Sequence, residues 1–228
     1  MKISVLNWLD WEFVDIRCEA QSGTTVEEQG DAVFDQARAA LAQHGLTLSN
    51  TIRSRVYGVD RPARDAVSNS RFAALKGDDR AASSSYIAPK NFESKALVAL
   101  ELIAVRRRPG IVKTIKEYEP PKGPICWITL GPLLVLSGNT SQLPTLKEQV
   151  TEDILPRIDS YLKEAGSSWQ QVVNVSCYLH ESQKPDQLRT HFATIAKPFP
   201  PRFEICFVEG YSSPGKLLEV EVTAQRNG

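Results

Sequence analysis

The residues best equipped to hold or activate a small molecule gather near the end of the chain. From Pro201 to Thr223 the sequence reads PRFEICFVEGYSSPGKLLEVEVT. Strand alternation puts Arg202, Glu204 and Cys206 on one face of a first strand, with Phe203, Ile205 and Phe207 on the other. It puts Leu218, Val220 and Val222 on one face of a second strand, with Glu219 and Glu221 on the other. A hairpin turning over Gly210 to Gly215 then presents one guanidinium and several carboxylates on a single polar face. That pairing has two readings: a surface ion pair, or the floor of a site for a small anion, which an arginine fork grips through two parallel hydrogen bonds. Cys206 shares the face of Arg202. A nucleophilic thiol needs a depressed pKa and a paired base, and Glu204 works against both, so a buried, inert thiol is expected. A second candidate is the SGN segment at 137–139, which ends a strand. Gly138 allows close backbone approach to a ligand with Ser137 donating a hydrogen bond, or the segment is a plain exit into a turn.

Other chemistry finds little support. The four cysteines, at 18, 126, 177 and 206, have no metal-ligand spacing with one another or with histidine and read as free thiols of a reducing cytoplasm. His44, His180 and His191 are scattered, and a structural role suffices for His44 at a helix C-terminus. No glycine-rich phosphate loop, HExxH or GxSxG motif is present, so neither a metal nor a cofactor is implied. Twenty-seven acidic residues balance 27 basic ones, which argues against general nucleic-acid binding, and the Arg106–Arg108 run reads as the solvated end of a strand. No apolar run approaches the length of a membrane span, and the N-terminus lacks the pattern of a secretory signal.

The elements that must position these residues form a repeat. In the first half, strands are expected at Ile3 to Leu9 and Phe13 to Glu19, a helix from Thr25 to His44 stopped by Gly45, a strand from Thr51 to Asp60, a helix over 61–76, and strands at Arg80 to Ile87 and Lys95 to Arg107. Residues 108–123, rich in proline and glycine, read as a linker. The second half repeats the order. Strands are expected at Ile125 to Thr129 and Leu133 to Ser137, a helix from Thr145 to Ala165 kinked at Pro156 and stopped by Gly166, a strand from Gln171 to Leu179, a helix over 184–197, and the closing hairpin. A displacement of 121 residues aligns Leu41 with Leu162, Gly45 with Gly166 and Tyr57 with Tyr178; one of 120 aligns Phe72 with Phe192 and Glu101 with Glu221. The expected fold is α+β: two tandem ββαβαββ domains, at 1–107 and 124–228, each a mostly antiparallel sheet with two helices on one face.

That order, with these residues at these points, resembles the Rid (YjgF) family of enamine/imine deaminases over nearly the whole chain. The resemblance implies a chorismate-mutase-like fold, assembly as trimers and ligand pockets between neighbouring domains. The second copy carries it better. GPIC at 123–126 stands where the family has Gly-Pro-Tyr-Ser, LSGN at 136–139 where it has Ser-Gly-Gln, and the PPR ending at Arg202 matches Pro-x-Arg. LEVEVTA matches the family's Val-Glu-Ile-Glu segment. By resemblance, Arg202 grips a substrate carboxylate, Glu219 positions the hydrolytic water, Ser137 or Gly138 fixes the other end of the substrate, and Cys206 lines the pocket. Two departures alter it: the family's tyrosine is Ile125, and the cysteine two residues after the arginine is Glu204. The first copy is more eroded. Ile16 and Arg17 replace Ser137 and Gly138, Ala99 replaces Glu219, and Arg80 is taken as the counterpart of Arg202, which leaves a serine as the other choice.

The implied function is hydrolysis of a small carboxylate-bearing imine or enamine by a cytoplasmic homotrimer, with no nucleic-acid or membrane partner. The rival, of another class, is a metabolite-binding or assembly module without turnover. A nuclease activity, reported for some members, finds no support in the neutral charge.

Overall fold

The computed structural model describes residues 1–8 and 10–226, so the end of the first expected strand, at Leu9, lies outside the described residues. The first half forms β1 (Lys2–Trp8), β2 (Trp11–Glu19), α1 (Val26–Gln43), β3 (Thr51–Gly58), α2 (Arg61–Ala74), β4 (Ala82–Ile87) and β5 (Val98–Val105). The five strands make one sheet in the order β1-β2-β5-β3-β4. The second half forms β6 (Lys113–Lys116), β7 (Trp127–Leu130), β8 (Leu133–Leu136) and β9 (Asn139–Thr140). Then come α3 (Leu146–Glu148), α4 (Leu155–Glu164), β10 (Val172–His180), α5 (Pro185–Ile195), β11 (Phe203–Val208) and β12 (Leu218–Gln225). Its sheet runs β11-β10-β12-β8-β7-β6, with β9 beside β12. The two halves therefore share one ββαβαββ topology, and β6, from the stretch read as a linker, extends the second sheet by pairing with β7. Among the described residues no helix is long and apolar enough to cross a membrane.

Local chemistry accounts for the helix ends. Thr25 and Glu28 close a capping box at the start of α1, and Thr145 and Glu148 do the same for α3. Gly45 and Gly166, which the repeat aligns, follow α1 and α4 with φ of +63° and +75°, the left-handed geometry in which glycine ends a helix at no steric cost. Between α3 and α4 the helix widens into a π-helical segment, Gln149–Ile154. Pro156, in the first turn of α4, has no N–H to offer the preceding turn, and a π-bulge is a usual way to absorb that loss.

Each sheet buries its apolar face under its own helices. In the first domain Val14, Ile16, Val56, Leu100 and Leu102 pack on Val33 and Phe34 of α1; in the second, Leu218, Val220 and Val222 pack on Ile158, Leu188 and Phe192. The two remaining sheet faces meet. One end of that junction is apolar, joining Trp11, Ile52 and Val105 to Ile125, Ile128 and Val135. Ile125, which stands where the family has a tyrosine, is thus a core residue. The other end is aromatic: Tyr86 of the first domain stacks on Tyr178 of the second, with ring centroids 4.0 Å apart.

One expectation fails here. Pro201 to Thr223 is not a hairpin. β11 lies parallel to β10 and β12 antiparallel to it, so β10 separates the two strands. The reason is the helix that precedes β11: β10-α5-β11 is a crossover unit, and such units lay their strands side by side in parallel. The shared face survives, because Cys206 and Glu219 both pair with Tyr178, and Glu204 and Glu221 both pair with Ser176. The neighbourhood does not.

Candidate functional site

The middle of the interdomain junction is polar and buried. Glu221 of β12 receives Arg53 at 2.8 Å and Arg55 at 2.7 Å, both from β3 of the first domain, and Ser84 and Tyr86 of β4 also donate to it. Arg55 reaches on to Glu101, which the repeat aligns with Glu221. Burial alone would raise the Glu221 pKa, but the Arg53 and Arg55 guanidiniums overcome it and hold the carboxyl down at about 2. This cluster is a fastening: every charge in it has a protein partner.

Glu219, two residues earlier on the same face, is placed differently. Neither an ion pair nor a hydrogen bond holds its carboxyl among the described residues. It lies against Gly138, where an added Cβ would overlap the carboxyl itself. Burial, reinforced by Glu221, pushes its pKa up to about 8 against the pull of Lys216, Arg71 and Arg64. At neutral pH it is largely a protonated acid. It borders a cavity of about 470 Å³ between the domains.

The first domain supplies the opposite wall of that cavity. Arg71 of α2 is buried, donates to the Ser84 carbonyl at 2.5 Å, and keeps a buried Nε without a hydrogen-bond partner. Burial and the nearby Arg64 lower its pKa to about 10. Arg64 bonds Ser85 Oγ at 3.0 Å and Asp65 at 2.5 Å. Lys216, from the loop before β12, donates to Ser212 Oγ at 2.6 Å, and burial lowers its pKa. The Gly138 N–H donates to the Ser83 carbonyl at 3.1 Å, and Ser137 Oγ accepts from the Ser83 N–H at 3.2 Å. The SGN segment therefore laces the second domain to β4 of the first, and the group that closely approaches Gly138 is the Glu219 carboxyl.

Of the residues singled out in the sequence, Glu219 and Gly138 come together at this cavity, while Ser137 is buried beside it in the lacing. Arg202 is elsewhere. It precedes β11 on the far side of β10 from Glu219, roughly 15 Å away by strand spacing and rise. Its side chain is 69% exposed and its guanidinium pairs with Glu204 at 2.6 Å, the surface ion pair that was one of its two readings. Cys206 is exposed, not buried as expected, because β11 is the edge strand of its sheet, beyond β10 from the β12 side that the first domain covers. Its thiol pKa is raised by desolvation and by Glu204. Cys206 and Glu204 border an open trough together with Arg17, Glu101, Tyr57 and Tyr178. Arg80 binds Glu117 and the carbonyls of Lys122 and Gly123. The register of β4 on β3 puts Ala82, not Arg80, at the position that Arg202 holds before β11, since Ser83 faces Ser54 as Phe203 faces Val175. Among the described residues no three His, Cys, Asp or Glu side chains come together to hold a metal ion.

Sequence reasoning missed Arg71, Arg64 and Lys216. The one signal for Arg71 is its place in the repeat: at a displacement of 121, not the 120 that aligned Phe72 with Phe192, Val67, Arg71 and Ala74 follow the burial pattern of Leu188, Phe192 and Ile195, so an arginine occupies the site of a core phenylalanine while Phe72 is exposed.

Among solved structures, a chorismatase matches with a TM-score of 0.63 at 14% identity, over 94% of this chain and 74% of its own. A member of the highly conserved YjgF/YER057c/UK114 family from Mycobacterium tuberculosis matches at 25% identity and a TM-score of 0.45, over 50% of this chain and 98% of its own. A YjgF-family protein from Neisseria meningitidis matches at 20% identity and a TM-score of 0.45, over 51% of this chain and 96% of its own. No protein-family model matches the chain, and a comparison with curated proteins found none that matches. In fold the chain is a tandem of two like α+β domains, and each of these YjgF-family structures covers about half of it.

Proposed function

We propose that the interdomain cavity hydrolyses a small carboxylate-bearing imine or enamine to a carbonyl compound and ammonia, with Glu219 as the acid–base group. The observation that carries this reading is a buried carboxyl with a pKa near 8, unpaired, facing a cavity ringed by arginine and lysine. A group poised near neutral pH gives and takes protons with the least penalty, which suits a reaction that needs both.

In this reading Arg71, whose fork is not filled by the protein, holds the substrate carboxylate, with Arg64 beside it. Protonated Glu219 donates to the enamine carbon and leaves an iminium ion. Its carboxylate then takes a proton from water as the oxygen bonds to the iminium carbon. The same proton passes to the amino nitrogen, the C–N bond breaks, ammonia departs, and the hydroxyl proton of the nascent carbonyl returns to Glu219. Atoms and charge balance with water as the only co-reactant. Arg202 has no part in these steps. The cavity is bounded by the two domains of one chain, so the reading does not depend on the homotrimer that the family resemblance implies; light scattering tests that assembly separately.

The test is ammonia release from imino acids generated in solution. Acceleration by wild type, lost in Glu219→Gln and in Arg71→Gln, supports the reading. Binding of the carboxylate without acceleration leaves the rival, a metabolite-binding module.

A further inference from the structure

The cavity holds more positive charge than one carboxylate requires. Five cationic side chains border it, against two carboxyl groups, Asp153 and Glu219. Glu219 is largely protonated at neutral pH. The cations come from both domains, Arg64 and Arg71 from α2 of the first and Arg157 and Lys216 from the second. Arg64, Arg71 and Lys216 surround Glu219 and act on it electrostatically. Arg157 is on α4, the second domain's side of the cavity, where it pairs with Asp153 and donates to the Thr140 carbonyl at 3.3 Å. It acts on Tyr118, and the Lys122 ammonium lies 4.9 Å from the centroid of that ring. Lys122 forms no ion pair among the described residues. Ser83, Ser84 and Ser85 of the first domain and Thr140 and Ser141 of the second also line the cavity.

We propose that the ligand of this cavity carries two separated acidic groups, one held by Arg71 with Arg64 on the first domain, the other by Arg157 with Lys122 on the second. The substrate class is then a dicarboxylate, or an acid of equal span and charge, rather than a monocarboxylate. The inference names the substrate class of the site under "Proposed function", and its binding limb is independent of turnover. A cavity of about 470 Å³ accommodates a chain of several atoms between the two acids. The polar, cation-bearing lining disfavours an apolar tail, since its charged and polar groups would lose water against it. A second charge-assisted contact of this kind is worth at least a factor of ten in affinity.

Calorimetric titration of the intact protein with glutarate, butyrate and inorganic phosphate tests it. Glutarate should bind at least tenfold more tightly than butyrate. Arg157→Gln, a partly exposed position, should bring glutarate down to the affinity of butyrate, while Arg71→Gln should weaken both. Phosphate, a dianion of a single centre, should bind no better than butyrate. Equal affinities for glutarate and butyrate overturn the inference, as does a preference that Arg157→Gln leaves intact, or no binding of any probe at millimolar concentration. Phosphate outranking glutarate also overturns it and points to a one-centre anion site. The two readings fail separately. Ammonia release from monocarboxylate imino acids without a dicarboxylate preference sinks this inference alone. Tight glutarate binding with no acceleration of any imino acid sinks the hydrolase reading alone.

Discussion

Glu219→Gln separates the acid–base property of this carboxyl from its packing. The folded protein holds the group at a pKa of about 8, whereas the ordinary value is 4.5. Between those values the folded chain binds a proton that the unfolded chain has released, so stability is full below 4.5 and falls as pH rises through 8. At 1.36 kcal/mol per pKa unit the displacement from 4.5 to about 8 is worth about 5 kcal/mol. Glutamine has nearly the shape of the protonated acid and never ionises. The variant should therefore match wild type below pH 4, lead by about 1 kcal/mol at pH 5 and gain on it until about pH 8. By pH 9 it should lead by several kcal/mol, about 10 °C or more in Tm for a chain of this size. Titrating groups that do not act on Glu219 cancel in the difference between the two proteins; Lys216, which does, titrates with it. Urea unfolding at pH 5, 6, 7, 8 and 9 measures it. A stability difference that stays flat from pH 5 to 9 would falsify the assignment of a raised pKa, and with it the basis for an acid at this site.

Three further outcomes follow from the same geometry. Gly138→Ala must turn the Glu219 carboxyl aside, since the new methyl overlaps it; destabilisation of about 1–3 kcal/mol and a fall of about 100-fold or more in ammonia release are expected, measured by denaturant melts and by rate. Glu221→Gln leaves Arg53 and Arg55 buried beside a neutral group and should cost about 3–5 kcal/mol in urea unfolding; a loss under about 1 kcal/mol would show that the cluster is not a fastening. Arg202→Ala removes an exposed pair and should change stability by less than about 1 kcal/mol and leave glutarate affinity intact, as read by melts and calorimetry.

The alternation of LEVEVTA was legible because a strand has a two-residue period: Glu219 and Glu221 do share a face, and Leu218, Val220 and Val222 do fill the core. The tandem repeat was legible for a like reason, since Gly45 and Gly166 have backbone requirements that few residues meet. The neighbour of Arg202 was not. Two strands joined by a short turn were read as a hairpin, although the helix before β11 demands a parallel place beside β10. Nor was the different fate of two adjacent glutamates. Whether a carboxyl is ionised by arginines or kept neutral depends on which strand of the other domain lies opposite, and that is a property of docking, not of either segment. Arg71 was hidden for a third reason: an arginine in a helical stripe reads as solvated until the sheet edge it reaches past, at Ser84, is known.

The Arg53–Arg55–Glu221 cluster also bears on whether the halves of this chain can be parted. Its cations all come from one domain and its acceptor carboxylate from the other. Cut between 107 and 124, the first fragment would carry two guanidiniums stripped of that counter-ion, and the second a lone carboxylate on a bared sheet. Each would have to rehydrate charges that the joined chain keeps dry. The halves are thus bound by mutual neutralisation as well as by peptide linkage. A split version of the protein should find its own complement in solution, and replacing the first half by a second copy of the second would set Asn174 and Ser176 where Arg53 and Arg55 stand, leaving Glu221 without its counter-ions at the join.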